Sequence, residues 1–432
     1  MDREKLRVYS PWILLAVLYM ALILIFQDSD PKGDEIRHLR YAKNLTQGFY
    51  VDIENPSFRN GPGYPMVLAP FQFLGSPHII PKLMNGVFLF LAVVYFRKSL
   101  ALYTSPSIAR FGALILGLYP PILRWLPFMY SEALALFLIC AFVYYFLKAL
   151  NTLEHTKRYL VLTSLFLGLL VLTKIIFFHV VVVGLLFLIP CFFTVYRKQV
   201  VLISKILVGA VVVISPYLFF TYSWSGKLFY LGTGGGEILY HRSTPFEQEW
   251  GNWFSREDVL FGDQPEYKKV KTFGDLSNLS RNHREFYLSI EHLNYIEQDS
   301  AFKAKAIENI KNHPRKFLRN TAAGIGRFVW NYPYSYRSQG MGMYLYGLPN
   351  MTLLILSLIV FLPVIQNRKE IPFDLLSLLF FSLVYSAGII ALEGRARNFI
   401  VVVPFLIGFI LYGYSHFMKV ELLSDKTTPS KR

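Results

Sequence analysis

Apolar residues fall into ten blocks along the chain, divided by short polar connectors and by two long polar stretches. The blocks cover residues 11–26, 83–96, 108–123, 131–147, 159–173, 175–196, 202–220, 345–365, 373–392 and 399–416. A helix needs about 20 mostly apolar residues to cross the hydrocarbon core, and fewer when protein buries its ends. The pattern predicts an all-α polytopic membrane protein with about ten transmembrane helices.

The first polar stretch, residues 28–82, follows the first span. Within it Ile36, Leu39, Ala42 and Leu45 recur at helical spacing and Gly48 provides a stop, which predicts an amphipathic helix lying along the membrane surface. The second stretch, residues 221–344, follows the seventh span and is long enough for a small outer soluble segment. It has a Gly-rich turn, a charged middle and a helical pattern from Ser300 to Trp330. Three regions are expected: residues 1–220 with a functional outer loop at 28–82, the soluble segment 221–344, and the C-terminal helices with a tail, 345–432. The first block is followed by Gln27-Asp28-Ser29-Asp30 with no small-residue cleavage site, so it is expected to stay as an anchor.

Charge orients this arrangement. The chain carries 44 basic and 28 acidic residues, a formal +16. The two polar stretches hold 22 basic and 19 acidic residues, and the span-rich remainder holds 22 basic and 9 acidic. The excess therefore flanks the apolar blocks, as the positive-inside rule requires, rather than forming a nucleic-acid-binding face. Arg3, Lys5 and Arg7 predict a cytoplasmic N-terminus. Strict alternation then puts Arg97-Lys98, Lys157-Arg158, Arg197-Lys198, Arg368-Lys369 and the basic tail ending at Arg432 on the same side. An apolar fraction of 54% already argues against a simple soluble enzyme. Cys140 and Cys191 lie in apolar runs without metal-ligand spacing and read as core residues.

Ionisable groups at span ends are costly and invite a functional hypothesis. On the predicted outer face they are Asp34 and Glu35, Glu132, Lys174, and Glu393, Arg395 and Arg397. A carboxylate there can accept a proton from a hydroxyl, and Lys or Arg can hold a phosphate leaving group. Plainer roles compete. Asp34 suits a helix cap, Glu35 and Glu132 suit first-turn acids, Lys174 suits a stop between two helices, and Arg395 suits an interfacial anchor. His38 is the one histidine close in sequence to Asp34, either a substrate contact or a surface side chain. The run Gly232-Thr233-Gly234-Gly235-Gly236-Glu237 lacks the Lys-Ser/Thr ending of a P-loop and reads as a turn at the mouth of a site.

Several of these residues carry a family resemblance. Gly33-Asp34-Glu35 with Tyr41-Ala42, Leu45 and Gly48, then Gly61-Pro62-Gly63-Tyr64-Pro65, resembles the first outer loop of the glycosyltransferase C superfamily, in particular the branch of the lipid A aminoarabinose transferases and protein O-mannosyltransferases. Tyr119-Pro120-Pro121 with Tyr130-Ser131-Glu132, Leu172-Thr173-Lys174, Pro216-Tyr217 with Tyr222 and Gly226, and Arg397 with Pro404 follow in the same order. Phe220-Thr221 stands where bacterial members commonly have Arg-Asn. The resemblance implies an inverting transferase that moves a sugar from a polyprenyl-phosphate donor to a hydroxyl on a lipid, glycan or protein. It implies Asp34 as general base with Glu35 beside it, and an extracytoplasmic site, in a bacterial inner membrane with the site facing the periplasm. Lys174 and Arg397 are the candidates for the donor phosphate, and Glu132, His38 and Tyr64 for other substrate contacts. No cofactor is certain. A divalent metal at Glu35 is left open, as are the sugar, the acceptor and the oligomeric state. The rival expectation is a transporter or lipid flippase, which needs polar or broken helices at mid-membrane.

Overall fold

The structure, a computed structural model, describes residues 3–52, 54–152, 154–270, 274–337 and 339–418. The basic tail ending at Arg432 lies outside the described residues. Seven helices are long and apolar enough to cross a membrane, and three shorter apolar helices accompany them. The chain is an integral, multi-pass membrane protein. In order, the spans are α1 (Arg3–Phe26), then, after α2 (Asp34–Thr46) and α3 (Gly63–Phe73), α4 (Ile79–Leu100), α5 (Pro106–Gly117) and, after the four-residue α6 (Pro120–Leu123), α7 (Glu132–Asn151). They continue with α8 (Thr156–Thr173), α9 (Ile176–Cys191) and α10 (Arg197–Ser225). Six helices of the outer segment follow: α11 (Gly235–Arg242), α12 (Arg256–Phe261), α13 (Pro265–Val270), α14 (Ser277–Ser289), α15 (Tyr295–Asn312) and α16 (Pro314–Trp330). The last spans are α17 (Gly342–Gln366), α18 (Phe373–Leu392) and α19 (Val403–Phe417). No strand occurs among the described residues.

The ten expected spans correspond to these ten apolar helices, and three of the differences in extent sit at prolines. The expected third span, 108–123, breaks after Gly117, because Pro120 and Pro121 lack the backbone donors that a continuous helix needs. Close packing helps to end α5 there: the Tyr19 hydroxyl donates to the Gly117 carbonyl at 2.9 Å. Pro190 stands one residue before the end of α9, five residues earlier than expected. The expected span at 399–416 begins instead as a 3₁₀ turn, Ala396–Val401, and turns α-helical at Val403 with Pro404 in the first turn. The pattern from Ser300 to Trp330 is likewise two helices, parted at His313-Pro314.

The spans share one apolar core. α4, α7, α8 and α10 pack side by side, α7 being the most enclosed of the long spans and α1 the least. Side-chain contacts mark the two ends of the bundle. At one end Tyr103 and Asn151, just beyond and at the end of α4 and α7, both hydrogen-bond Asp374 at the start of α18. The basic pairs Arg97-Lys98, Lys157-Arg158, Arg197-Lys198 and Arg368-Lys369 fall at that end by chain order. At the other end Lys174, closing α8, meets Glu132, opening α7. The outer segment has a separate small core around Tyr240, Val259, Leu279, Tyr287 and Phe302. Capping boxes begin two of its helices, Ser255 with Asp258 on α12 and Asn294 with Glu297 on α15.

The amphipathic helix α2 forms where expected, with Leu39, Ala42 and Leu45 packed against the core, but its inward face is turned away from Ile36. Glu35, His38, Tyr41, Ala42 and Asn44 point inward, whereas Ile36 is 58% exposed. The inward carboxylate of Glu35 and phenol of Tyr41 accept and donate hydrogen bonds there, the His38 ring packs on Tyr64, and Ile36 faces away.

The two ends predict opposite labelling. In a Cys191→Ser background, a cysteine replacing exposed Glu285 should react with a membrane-impermeant thiol reagent from one side only, and one replacing Lys369 only from the other. Reaction of both from the same side would contradict the alternation of the spans.

Candidate active site

At the end of the bundle opposite Asp374, five ionised side chains form one alternating chain. Lys174 Nζ lies 3.0 Å from Glu132 Oε1, and the same oxygen is 3.7 Å from Arg397 Nε. Arg397 Nη2 lies 2.5 Å from Asp34 Oδ2, while Asp34 Oδ1 accepts from Arg37 Nη2. Arg37 Nε then donates to Asn60 Oδ1 at 3.0 Å. The members come from the α8–α9 joint, the start of α7, the turn before α19, and α2, so the chain ties together parts of the protein that are distant in sequence. Asp34, Glu132, Lys174 and Arg397 are brought together. Arg37 was missed, although its place one turn after Asp34, on the same helix face, was a usable signal.

Asp34 is not a cap. It is the first residue of α2, the cap position is Gly33, and Gly33 has a left-handed backbone (φ 57°). A Cβ there would lie 2.9 Å from the Tyr130 hydroxyl. Burial raises the Asp34 carboxyl, but Arg397, Arg37 and Arg395 outweigh it and hold the group far below the usual carboxylate range. The opposite holds for Arg397: burial works against its charge, and Asp34 and Glu132 more than compensate. Its guanidinium also lies over the rings of Trp125 and Tyr130, at 5.9 and 5.4 Å. Nε of Arg397 is buried without a hydrogen bond.

Three other candidates are engaged in different ways. Glu35 is fully buried, with Oε1 accepting from the Met129 amide at 2.8 Å and Oε2 from the Lys32 amide at 2.9 Å, so it pins the entry of α2 to the segment before α7. Tyr64 is buried and donates to Asn85 Oδ1 at 3.1 Å. His38 is buried, not a surface histidine, and packs edge-on to Tyr64 with ring centroids 5.1 Å apart. Burial pulls the His38 imidazole down to about 4, against the pull of Asp34, so it is neutral at pH 7. Its Nδ1 is buried without a partner. A divalent metal does not fit at Glu35, since both its oxygens accept backbone amides, and those of Asp34 face guanidinium groups. Among the described residues no three His, Cys, Asp or Glu side chains converge on a metal position.

The turn bearing Arg397 is held from the outer segment. Arg395, expected as a membrane anchor, pairs with Glu393 and lies 5.3 Å over the Trp253 ring. Arg59, from the first outer loop, lies over the same ring at 5.1 Å and pairs with Glu237 at 2.8 Å. Two fully buried arginines, Arg242 and Arg327, bond the carbonyls at the end of α18. Arg242 donates to Leu392 and Ile390 at 2.9 and 3.1 Å, and Arg327 to Glu393 at 3.4 Å. Their other donors reach the Asn320, Trp250 and Pro333 carbonyls at 2.5, 2.8 and 3.0 Å. Burial, and for Arg242 the neighbouring Arg327, pulls these guanidiniums down to about 9 and about 10. Carbonyls at a helix C-terminus carry partial negative charge, which suits cations there. The Gly-rich turn is occupied from within the chain as well: Asp299 Oδ1 accepts from the Gly234 and Gly236 amides at 2.8 and 2.7 Å, where a bound anion would sit.

No family model matches the sequence, and no curated protein matches it. Solved structures do match the fold. Oligosaccharyltransferase AglB of Archaeoglobus fulgidus, in complex with an inhibitory peptide and a dolichol-phosphate, aligns with a TM-score of 0.51 and 12% identity over 94% of this chain and 50% of its own. The same enzyme tethered to an acceptor peptide gives a TM-score of 0.52 and 12% identity over 94% and 49%. ArnT from Cupriavidus metallidurans, bound to undecaprenyl phosphate, gives 0.43 and 11% identity over 94% and 77%. The chain thus spans about half the length of the archaeal enzyme and shares its fold over that length.

The arginine caps on α18 make a stability prediction. Arg327→Met leaves several buried carbonyls without donors, at roughly 1–3 kcal/mol each. Thermal unfolding of the detergent-solubilised protein should show a loss of several degrees for Arg327→Met and for Arg242→Met, and almost none for exposed Arg319→Met. Wild-type melting in both buried variants would contradict the bracing role.

Proposed function

We propose that this chain is a membrane glycosyltransferase that moves a sugar from a polyprenyl-phosphate donor to a hydroxyl acceptor, with inversion, on the extracytoplasmic face. The observation that carries the proposal is the sharing of one partly buried carboxylate, Asp34, between two guanidiniums at the end of the spans. A lipid-linked phosphate reaches such a place with its chain in the bilayer. The fold neighbour AglB, solved with a dolichol-phosphate, supports that class of donor.

Asp34 held by both Arg397 and Arg37 is a poor base, because each cation stabilises the carboxylate against protonation. A donor phosphate changes this. It competes for Arg397, whose Nε has no hydrogen bond, and for Lys174, which Glu132 holds nearby. With one guanidinium drawn away, Asp34 accepts the proton of the acceptor hydroxyl. The hydroxyl oxygen bonds to the anomeric carbon as the bond from that carbon to the phosphate oxygen breaks, and the electron pair leaves with the polyprenyl phosphate. Arg397 and Lys174 stabilise its growing charge. Glu132 and Glu35 act here as positioning residues, the first for the two cations and the second for the start of α2. The bacterial inner membrane and periplasmic face belong to this proposal, and the outward placement of Asp34 follows from the positive-inside rule. A flippase reading gains no support from the charge chain, which gathers at one end of the bundle.

Mass spectrometry of cell-envelope glycans and lipids, with wild-type or Asp34→Ala protein, is expected to identify a sugar added only by the wild type. With that donor and acceptor purified, Asp34→Asn should lower kcat by about 100-fold or more, with donor KM little changed. Arg397→Ala should mainly raise donor KM, and Arg397→Lys, which keeps charge but loses the two-pronged pairing, should fall between. Near-normal turnover by Asp34→Asn would remove the base assignment.

A further inference from the structure

A second cavity lies across Arg37 from the donor cations. It encloses about 280 Å³, close to the lower end of small-ligand cavities, roughly 300–1,000 Å³. One wall comes from α2 and the first outer loop, through Arg37, Arg40 and Arg59, and the other from the outer segment, including Trp253, Arg256 and Gln298. Arg37 lines this wall and also binds Asp34, so an occupant of the cavity is one side chain away from the carboxylate. Lys174 and Arg397 lie on the other side, where the spans end.

The chemistry of the wall indicates what it holds. Each of its cations has a carboxylate within 4 Å: Arg37 has Asp34, Arg59 has Glu237 at 2.8 Å, Arg256 has Glu291 at 2.7 Å, and Arg40 has Asp52 at 3.9 Å. The same wall also carries the carboxylates Glu237, Glu257 and Asp299, so it is close to charge-balanced and, unlike the end of the spans, gathers no excess of cations for an anion. What remains is a set of planar donors and acceptors held in place by their partners, which suits groups that both donate and accept, as sugar hydroxyls do. Tyr295, which also lines the cavity, is 43% exposed, and its backbone amide is anchored to Asn55 Oδ1 at 3.1 Å; its ring offers a flat surface for the apolar face of a sugar.

We infer that this cavity is an acceptor subsite for an uncharged sugar, holding the ring next to the one whose hydroxyl meets Asp34. The acceptor is then a neutral glycan, free or lipid-linked. The inference rests on Asp34 as the base, since the cavity is assigned by its place across that residue from the leaving phosphate.

The test is saturation-transfer NMR of the full chain in nanodiscs, with neutral hexose and N-acetylhexosamine oligosaccharides, their phosphorylated or carboxylated counterparts, and serine- or threonine-containing peptides as probes. Neutral oligosaccharides should bind. Tyr295→Ala and Arg256→Gln, checked for wild-type melting, should each weaken that binding at least tenfold, and Arg397→Ala should not. Neutral glycans that remain bound only when carried on a lipid would assign a lipid-linked acceptor, and free ones a soluble glycan. Binding by acidic glycans alone, by peptides alone, by no probe, or unchanged binding in both cavity variants overturns the inference. Polyprenyl phosphate binding is measured on the same samples. If Arg397→Ala abolishes it while no glycan binds, the cavity assignment fails and the donor reading stands; if glycans bind and polyprenyl phosphate does not, the donor reading fails.

Discussion

The contact between Arg397 and Asp34 joins the two halves of the site. Asp34 enters on a short helix after the first span, and Arg397 on an irregular turn between the last two. Each charge offsets the desolvation of the other, because a largely enclosed ion without its partner loses hydration and gains nothing in return. Glu132 and Lys174 extend the pair on one side and Arg37 and Asn60 on the other. Every element that borders the site therefore contributes to one electrostatic unit, and displacing any of them disturbs the others.

That unit is braced from outside the membrane. α18 ends with carbonyls that no further helical turn can satisfy, and Arg242 and Arg327 meet them from α11 and α16. Trp253 lies between Arg59 and Arg395, joining the first outer loop, the outer segment and the turn that carries Arg397. The outer segment is thus a support for the site as well as a wall of the adjoining cavity. Its own core, around Tyr240, Tyr287 and Phe302, makes that support rigid.

The bilayer makes much of this legible in the sequence. Spans stand out because about 20 apolar residues in a row have few other uses; their ends moved by a few residues, in three cases at Pro120, Pro190 and Pro404. Glu132, Lys174 and Arg397 are visible for the same reason, each being an ionisable residue at the edge of an apolar run, whereas Asp34 lies within the first polar stretch and stands out through the Gly33-Asp34-Glu35 resemblance. Arg242, Arg327 and Trp253 lie within a polar segment, where an arginine or an aromatic side chain has no such contrast, and nothing local distinguishes a buried guanidinium from a solvated one. Glu35, His38 and Tyr64 were seen, but their spacing could not reveal what they touch. The apolar positions of α2 likewise point to Ile36 as a buried residue, whereas the hydrogen bonds of Glu35 and Tyr41 and the packing of His38 on Tyr64 favour a face turned away from it.

The central claim is that a lipid phosphate takes Arg397 from Asp34. Electron cryomicroscopy of the full chain in nanodiscs, with and without added polyprenyl phosphate, tests it directly. The expected result is phosphate density between Lys174 and Arg397, with the Arg397 guanidinium moved off Asp34 and Arg37 still in place. Phosphate density elsewhere, with the Arg397–Asp34 pair intact, would contradict it.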